Sequence, residues 1–284
     1  MNYQATQSMY EDQKVISQYM EFHYGDSYFG VPNYPKQCAD LCIKVCKDNG
    51  VPLEKALDLG CSVGRSTFEL ATAFEKVVGL DLSTGFITAA EQFQQEGTYE
   101  IAVPTEGHLS EKKALSLKAL NLTDTVRRVN FAVEDAGKLD LSIYGRNDLI
   151  FCGNLIDRLS DPTEVLQNIH KYLNPKGIFV NVSPYTWLEV FSSKSKWVGG
   201  YVDQAGKEVK THDGLKKILG ATFKEVAEAR DVEFVIRETK REYQHAFAHA
   251  TFWQKIVDKK KGLLNSWKKT FYSFQGVKKS MHLI

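Results

Sequence analysis

The stretch Lys55–Ser83, KALDLGCSVGRSTFELATAFEKVVGLDLS, decides the fold. It starts with a short apolar run that contains one acid, Asp58, and continues through the glycine turn Gly60–Gly64. Arg65–Phe74 has helical periodicity, and a second apolar run then ends on Asp81. The pattern predicts strand, tight turn, helix and strand. Glycines let a backbone approach a ligand, a helix start offers free N–H groups, and an acid at a strand end can bind both ribose hydroxyls. The stretch therefore predicts a nucleoside site.

Two classes of cofactor use this geometry. The dinucleotide fingerprint requires G-x-G-x-x-G with an acid ~20 residues further on. Here three residues separate Gly60 from Gly64, and the middle glycine is missing. The pattern D-L-G-C-x-x-G-R followed by G-L-D instead resembles motif I and the acidic loop of class I S-adenosylmethionine-dependent methyltransferases. That resemblance implies that the turn faces the methionine part of the cofactor and that Asp81 binds the ribose. A nicotinamide dehydrogenase is the poorer alternative.

The remaining apolar segments complete a predicted sheet. Three of them, Val129–Val133, Asp148–Cys152 and Ile178–Val182, read as further core strands. Phe223–Val232 and His245–Trp253 read as a closing antiparallel pair. We expect an α/β, Rossmann-like class I methyltransferase fold, with a seven-stranded, mostly parallel sheet, helices on both faces and an antiparallel last strand.

The length allows one large or two small domains. We expect a single methyltransferase domain over residues 1–257. Within it, residues 1–50 form a helical N-terminal cover, and residues 97–126 form an ordered insertion before the third core strand. That insertion is predicted to contain an extra strand, a turn and a charged helix at Glu111–Leu120.

Composition excludes several functional classes. The 36 Lys and Arg residues nearly cancel the 35 Asp and Glu residues, so the whole chain lacks the charge of a nucleic-acid-binding protein. No run approaches ~18 apolar residues, and the polar N-terminus does not resemble a signal peptide. We therefore expect a cytoplasmic protein with no membrane span. We expect residues 258–284 to be a basic tail, because the sequence from Lys255 onward contains eight lysines and a single acid, Asp258.

Three cysteines recur at four-residue spacing, Cys38, Cys42 and Cys46, on a helix predicted near Lys36–Asn49. A zinc site is one interpretation, but structural zinc sites use four ligands and no fourth candidate lies nearby. We instead predict small packing residues on a buried helix face and no metal.

The candidate cofactor ligands lie at the ends of the predicted strands. Asp135 follows the third core strand, where an acid in class I methyltransferases approaches the adenine amino group. Tyr24, after the first helix, is either a packing aromatic or a wall over the methionine end of the cofactor. The predicted cofactor-binding residues are Tyr24, Asp58, Gly60, Cys61, Ser62, Gly64, Arg65, Asp81, Leu82, Ser83, Asp135, Ala136 and Asn154.

The acceptor substrate is expected beyond the fourth and fifth core strands, because ligands of open parallel sheets bind at the carboxyl ends of strands. An aromatic loop there could form a substrate wall, and a charged connection further on is either surface salt pairing or a site for a charged amino acid. The candidate catalytic residues are Asp157, Tyr185 and Asn154, and the candidate substrate-binding residues are Asp157, Arg158, Tyr185, Trp187, Arg237 and Glu238.

Several segments occur along the chain in one order: F-H-Y-G at Phe22–Gly25, ALDLGCSVGRSTFELA, N-L-I-D-R-L at Asn154–Leu159, S-P-Y-T-W-L-E at Ser183–Glu189, W-V-G-G-Y at Trp197–Tyr201, T-H-D-G-L-K at Thr211–Lys216 and F-V-I-R-E-T at Phe234–Thr239. Together they resemble the methyltransferase domain of ovothiol synthases over roughly residues 10–257. Many of those enzymes carry an iron-dependent 5-histidylcysteine sulfoxide synthase ahead of this domain, and the present sequence resembles a standalone form.

This resemblance implies methylation of the imidazole π nitrogen of 5-thiohistidine (4-mercaptohistidine), giving ovothiol A, and a functional link to a separate sulfoxide synthase. It implies that Asp157 or Tyr185 orients the imidazole, that Arg237 or Arg158 binds the substrate carboxylate, and that Glu238 or Asp157 binds its ammonium. The alternatives are a class I methyltransferase of another small amino acid or thiol, and a non-catalytic S-adenosylmethionine-binding partner of a sulfoxide synthase.

Overall fold

The computed structural model describes residues 10–257. The helices are α1 (Gln13–Tyr24), α2 (Tyr34–Asp48), α3 (Arg65–Leu70), α4 (Thr84–Glu96), α5 (Leu141–Tyr144), α6 (Pro162–Asn168) and α7 (Thr211–Leu219). The strands are β1 (Lys55–Leu59), β2 (Lys76–Asp81), β3 (Thr98–Glu106), β4 (Leu109–Ser116), β5 (Val129–Val133), β6 (Asn147–Gly153), β7 (Leu173–Ser183), β8 (Tyr201–Val202), β9 (Glu208–Val209), β10 (Phe223–Glu225), β11 (Arg230–Arg237) and β12 (Tyr243–Lys255).

The main sheet has the strand order β5-β2-β1-β6-β7-β12, with β10 and β11 both pairing to the outer edge of β12. Strands β5, β2, β1, β6 and β7 are parallel, and β12 runs antiparallel to β7. The predicted fold class is confirmed, with eight strands instead of seven. The extra strand arises because the predicted segment Phe223–Val232 divides: Phe223 pairs with Lys255 at one end of β12, and Arg230 pairs with Ala250 nearer its middle.

Helices cover both faces of this sheet because its central strands are apolar on both sides, as buried parallel strands are. On β1, Ala56 packs into the cluster beneath α1, α2 and α4, and Leu57 and Leu59 pack into the cluster on the opposite face. Side chains alternate along a strand, so one short run of apolar residues supplies both cores. Because helices cover both faces, the turn that follows β1 lies at the edge formed by the carboxyl ends of the strands.

The prediction of a helix at Glu111–Leu120 is wrong. Residues 98–116 form a two-stranded antiparallel hairpin of β3 and β4. Ile101, Val103 and Leu115 are all buried, whereas Ala102 and Ala114 beside them are exposed, as a period of two requires. The charged residues that suggested a helix instead lie across the hairpin, as in the exposed Lys112–Glu100 ion pair of 2.7 Å.

Helix α2 buries all three of its cysteines in the core, which confirms the predicted packing role. Burial raises the pKa of the Cys38, Cys42 and Cys46 thiols, so they remain protonated. Within residues 10–257, no helix combines the length and apolar character needed to cross a membrane. The predicted basic tail, residues 258–284, lies outside the described residues.

Candidate active site

The turn after β1 carries backbone conformations that few residues adopt. Gly60 has φ +73°, Gly64 has φ +88° and Ser62, although not a glycine, has φ +52°. A Cβ at Gly64 would lie 2.6 Å from the ring of Phe131, so this position requires glycine for space as well as for backbone angle. The Gly60 amide donates to the Leu80 carbonyl at 2.8 Å, which ties the turn to the end of β2.

A cavity of about 640 Å³ lies between this turn, the carboxyl ends of β2, β5 and β6, and the N-terminal helix α1. Ligand sites of enzymes commonly have volumes of ~300–1,000 Å³. The predicted cofactor residues that line the cavity are Gly60, Cys61, Ser62, Asp81, Leu82, Ser83, Asp135, Ala136 and Asn154.

Asp81 ends β2 and reaches the cavity half-buried. Its carboxylate accepts the Ser62 amide and the Ser83 amide, each at 2.9 Å. Burial raises the pKa of this carboxyl, and the two N–H donors oppose that shift. An ionised carboxylate has about four acceptor positions, so two remain for hydroxyl groups of a ligand.

Asp135 follows β5 at the same edge of the sheet. It accepts the Gly137 amide at 2.8 Å and forms an ion pair of 3.2 Å with the exposed Lys138. Ala136 and Glu134 line the cavity beside it, and Glu134 also accepts the Tyr144 hydroxyl at 3.0 Å. A planar ring with an exocyclic amine could therefore meet an acceptor at this position.

Four predicted cofactor residues lie behind the cavity instead of lining it: Tyr24, Asp58, Gly64 and Arg65. The Tyr24 hydroxyl donates to the Val63 carbonyl at 2.7 Å. Arg65 pairs with Glu69 at 2.6 Å in the interior. These contacts support the backbone of the turn from the protein side, so Tyr24 is a packing residue of the turn.

Asp58 is buried beneath the same turn. It accepts the Ser66 hydroxyl at 2.6 Å and the Thr67 hydroxyl at 2.7 Å, both through one oxygen. Its other oxygen, Oδ1, has no partner among the described residues. Burial raises the pKa of Asp58 to about 6, and the two hydroxyl donors oppose that shift.

Asn154 follows β6 with φ +50°, and it lines the cavity. Its amide N–H donates to the Val182 carbonyl at 2.7 Å, and its Oδ1 accepts the Tyr34 hydroxyl at 2.7 Å. Left-handed conformations of non-glycine residues concentrate at functional sites. Tyr34 is a cavity residue that the sequence did not identify.

Asp157 is buried and does not line the cavity. Its carboxylate accepts four hydrogen bonds: the Ser183 hydroxyl at 3.2 Å, Arg158 at 3.0 Å, and the amide and hydroxyl of Thr186 at 3.0 and 2.9 Å. Arg158 does line the cavity, with its guanidinium 4.8 Å from the ring centre of Phe191. In this arrangement Asp157 positions Arg158 and does not face the cavity itself.

Of the aromatic loop after β7, Phe191 lines this cavity, but Tyr185 and Trp187 point elsewhere. The Tyr185 hydroxyl bonds His249 Nδ1 at 3.0 Å in a separate, more open cavity. Trp187 is buried and donates to the Thr211 hydroxyl at 2.9 Å. Neither side chain forms the wall that the sequence predicted for this cavity.

Arg237 and Glu238 belong to the contact between β11 and its neighbours. Arg237 donates to the Pro104 carbonyl at 3.3 Å and to Glu111 at 3.1 Å, which holds the β3–β4 hairpin. Glu238 accepts both the Gln18 and Gln244 side-chain amides at 2.6 Å. The structure brings neither residue to the cavity.

The sequence predicted an N-terminal helical cover but not the rings that line the cavity. Five of the eight rings come from α1, its flanks and the start of α2, and the other three come from α4, β6 and the loop after β7. The helical spacing of Tyr19, Phe22 and His23 was the available signal, because residues three and four apart share one helix face. The missed lining residues with rings are Tyr10, Tyr19, Phe22, His23, Tyr34, Phe86, Phe151 and Phe191.

Comparison with protein families finds that residues 57–181 match the family described as "Methyltransferase domain". Residues 57–181 are thus similar to a methyltransferase domain. The chain is 26% identical over 189 residues to ubiquinone biosynthesis O-methyltransferase of Psychrobacter cryohalolentis, covering 65% of this chain and 60% of that protein. The same-named protein of Psychrobacter arcticus is 25% identical over 182 residues, covering 63% and 58%. The chain thus spans about three fifths of the length of these curated relatives.

Solved structures show the same fold at low sequence identity. The [4+2]-cyclase SpnF superposes with a TM-score of 0.55 at 15% identity, covering 91% of this chain and 98% of that one. Magnesium protoporphyrin IX methyltransferase of Synechocystis, solved with bound S-adenosylmethionine, has a TM-score of 0.50 at 14% identity, covering 89% and 97%. Because one of these relatives is a cyclase, the fold alone does not define the reaction.

Proposed function

We propose that the protein is an S-adenosylmethionine-dependent methyltransferase that methylates a small amino-acid substrate, 5-thiohistidine. The observation that carries the proposal is one cavity bordered by the glycine turn Gly60–Gly64, by Asp81 and by Asp135. These three features follow three successive strands of the sheet. They match the three parts of the cofactor: methionine, ribose and adenine.

The residues present fit this cofactor. Ser62 lines the cavity, and its hydroxyl is a buried polar atom without a partner among the described residues. Such orphaned atoms are rare in proteins, and a polar ligand group nearby is one way to satisfy or offset them. When bound, S-adenosylmethionine supplies a methyl group on a positively charged sulfur. Asp81 would hold the ribose, and Asp135 with Ala136 would hold the adenine.

The acceptor would lie at the end of the cavity formed by Asn154, Tyr34 and Arg158. The protein's main contribution there is alignment of the nucleophile with the methyl carbon. Phe22 and Tyr34, with ring centres 5.9 Å apart and nearly parallel, offer an aromatic surface to an imidazole. Arg158 would bind the substrate carboxylate through the N–H groups that Asp157 and Thr186 do not use.

The test is incubation of the protein with S-adenosylmethionine and either 5-thiohistidine or histidine, followed by mass spectrometry. We expect one methyl group on 5-thiohistidine, on the π nitrogen, and no product from histidine. Arg158→Lys keeps the charge but loses the planar fork, so it should raise the KM for 5-thiohistidine more than it lowers kcat. Cofactor binding without methylation of 5-thiohistidine would refute this acceptor.

A phenolic acceptor is the second candidate, because the curated relatives are named as O-methyltransferases. The aromatic wall would suit a phenol as well as an imidazole. A dihydroxybenzoate included in the same assay separates the two: methylation of its hydroxyl in place of the imidazole nitrogen would select the O-methyltransferase reading.

A further inference from the structure

His23 is the last but one residue of α1, and its side chain is buried where it lines the cavity beside the glycine turn. Its carbonyl oxygen accepts the Asn33 side-chain amide at 2.9 Å and the Arg65 guanidinium at 3.3 Å. The next residue, Tyr24, donates its hydroxyl to the Val63 carbonyl at 2.7 Å. The backbone at His23 and Tyr24 is therefore held next to the turn.

The two ring nitrogens of His23 differ in environment. Nδ1 is shielded from solvent and has no hydrogen-bond partner among the described residues. An orphaned buried N–H is rarer in proteins than an under-used acceptor, so the proton belongs on the other ring nitrogen, Nε2. Burial, and then the nearby Arg65, lower the pKa of His23 to about 3, so the ring is neutral at physiological pH and presents one N–H donor.

A neutral His23 ring with one N–H donor can bind only a ligand group that accepts a hydrogen bond. The methionine part of the cofactor offers a carboxylate, which only accepts, and an ammonium, which only donates. Arg65 is already paired with Glu69 at 2.6 Å and does not line the cavity. Among the described residues, Arg158 is the one Lys or Arg in the lining, and its guanidinium is held by Thr186 near the acceptor end.

We propose that His23 donates its Nε2–H to the carboxylate of the cofactor's methionine part, and that this bond makes the site selective for ligands that carry the amino-acid group. The proposal rests on the cofactor assigned under the proposed function, but not on the identity of the acceptor. It gives His23 a binding role at the turn, distinct from the ribose role of Asp81.

The test is binding by calorimetry of three ligands to wild type and to His23→Leu. The ligands are S-adenosylhomocysteine, its decarboxylated form, which keeps the ammonium, and 5′-methylthioadenosine, which lacks both groups. His23→Leu should raise the Kd for S-adenosylhomocysteine about tenfold, as expected for loss of a hydrogen bond to a charged group. The Kd values for the other two ligands should change by less than about twofold. His23→Gln, which retains an N–H donor, should recover most of the loss.

Three other binding results would overturn the proposal. Equal losses for all three ligands would assign the effect to packing around α1, and an equal loss for the decarboxylated ligand would assign His23 to the ammonium. Unchanged binding of S-adenosylhomocysteine would remove His23 from the cofactor site. Failure of wild type to bind S-adenosylhomocysteine at all would refute the cofactor itself, whereas binding without methylation of 5-thiohistidine would refute only the acceptor.

Discussion

Replacement of Asp81 by Asn tests the part of the site on which the cofactor assignment depends most. The Asp81 carboxylate accepts two backbone N–H groups at 2.9 Å, from Ser62 and Ser83, and keeps two acceptor positions toward the cavity. An Asn side chain has one oxygen in place of two. It therefore loses an acceptor for ribose, and it also turns an NH₂ group toward one of the two backbone donors.

The magnitude follows from the kind of bond that is lost. Hydrogen bonds to charged groups contribute roughly 1.5–3 kcal/mol, so Asp81→Asn should lower the affinity for S-adenosylhomocysteine about 10- to 100-fold. Calorimetry should also use an analogue that lacks both ribose hydroxyls. Because the disturbance of the turn affects both ligands, the difference between their losses isolates the contact between Asp81 and the ribose.

The matched control is Asp26→Asn, which also neutralises an acid but lies outside the cavity on an exposed side chain. It should leave the affinity within about twofold, as surface substitutions usually do. If Asp81→Asn weakens both ligands equally, Asp81 shapes the turn but does not bind ribose. If it weakens neither, the interpretation of this acid as the ribose ligand is wrong.

Three further substitutions have defined outcomes for stability, measured by urea unfolding. As the pH rises from about 4 to about 7, the free energy of unfolding of Asp58→Asn should increase by up to about 3 kcal/mol relative to that of wild type. Burial raises the pKa of Asp58 to about 6 in the folded state, so wild type loses stability over this range while Asn, which does not ionise, does not. A difference that does not change with pH would contradict this. Asp157→Ala should cost about 3–5 kcal/mol, because it leaves Arg158 without its buried partner, and a loss under 1 kcal/mol would contradict the positioning role. Lys113→Met should cost about 1–3 kcal/mol by removing the cation beside the buried Glu21 carboxylate, which keeps only the Tyr28 hydroxyl, whereas the exposed control Lys112→Met should change stability by less than about 0.5 kcal/mol.

The sheet and the cofactor side of the site were predictable because their signals are local. Two helix N-caps show how local such signals are: Ser83 accepts the Phe86 amide at 3.1 Å, and Asp161 accepts the Glu164 amide at 3.0 Å. A glycine turn between two apolar runs likewise depends on residues next to one another in the chain. Such patterns specify geometry before any tertiary contact forms.

The hairpin and the loop after β7 were not predictable in this way. Glu111–Leu120 contains residues that favour a helix, but its part up to Ser116 forms a strand because β3 supplies a partner and because Ile101 and Leu115 share a buried face. Tyr185 does follow a core strand, but its φ of +56° accompanies a side chain that lies in the cavity with His249. A residue's place after a strand tells at which edge of the sheet it lies. The backbone conformation of the loop then determines which cavity its side chain enters.

Whether a polar residue can bind a ligand depends on how many of its hydrogen-bonding positions the protein has already used. Asp157 gives its oxygens to four donors, and Glu238 gives each oxygen to one glutamine. Ser62 and His23, by contrast, keep unpartnered atoms beside the glycine turn. Polar recognition is therefore concentrated at the cofactor end of the cavity. At the other end Arg158 is the one Lys or Arg among the described lining residues, and aromatic rings surround it, which favours the proposed acceptor with a planar ring and a negative charge.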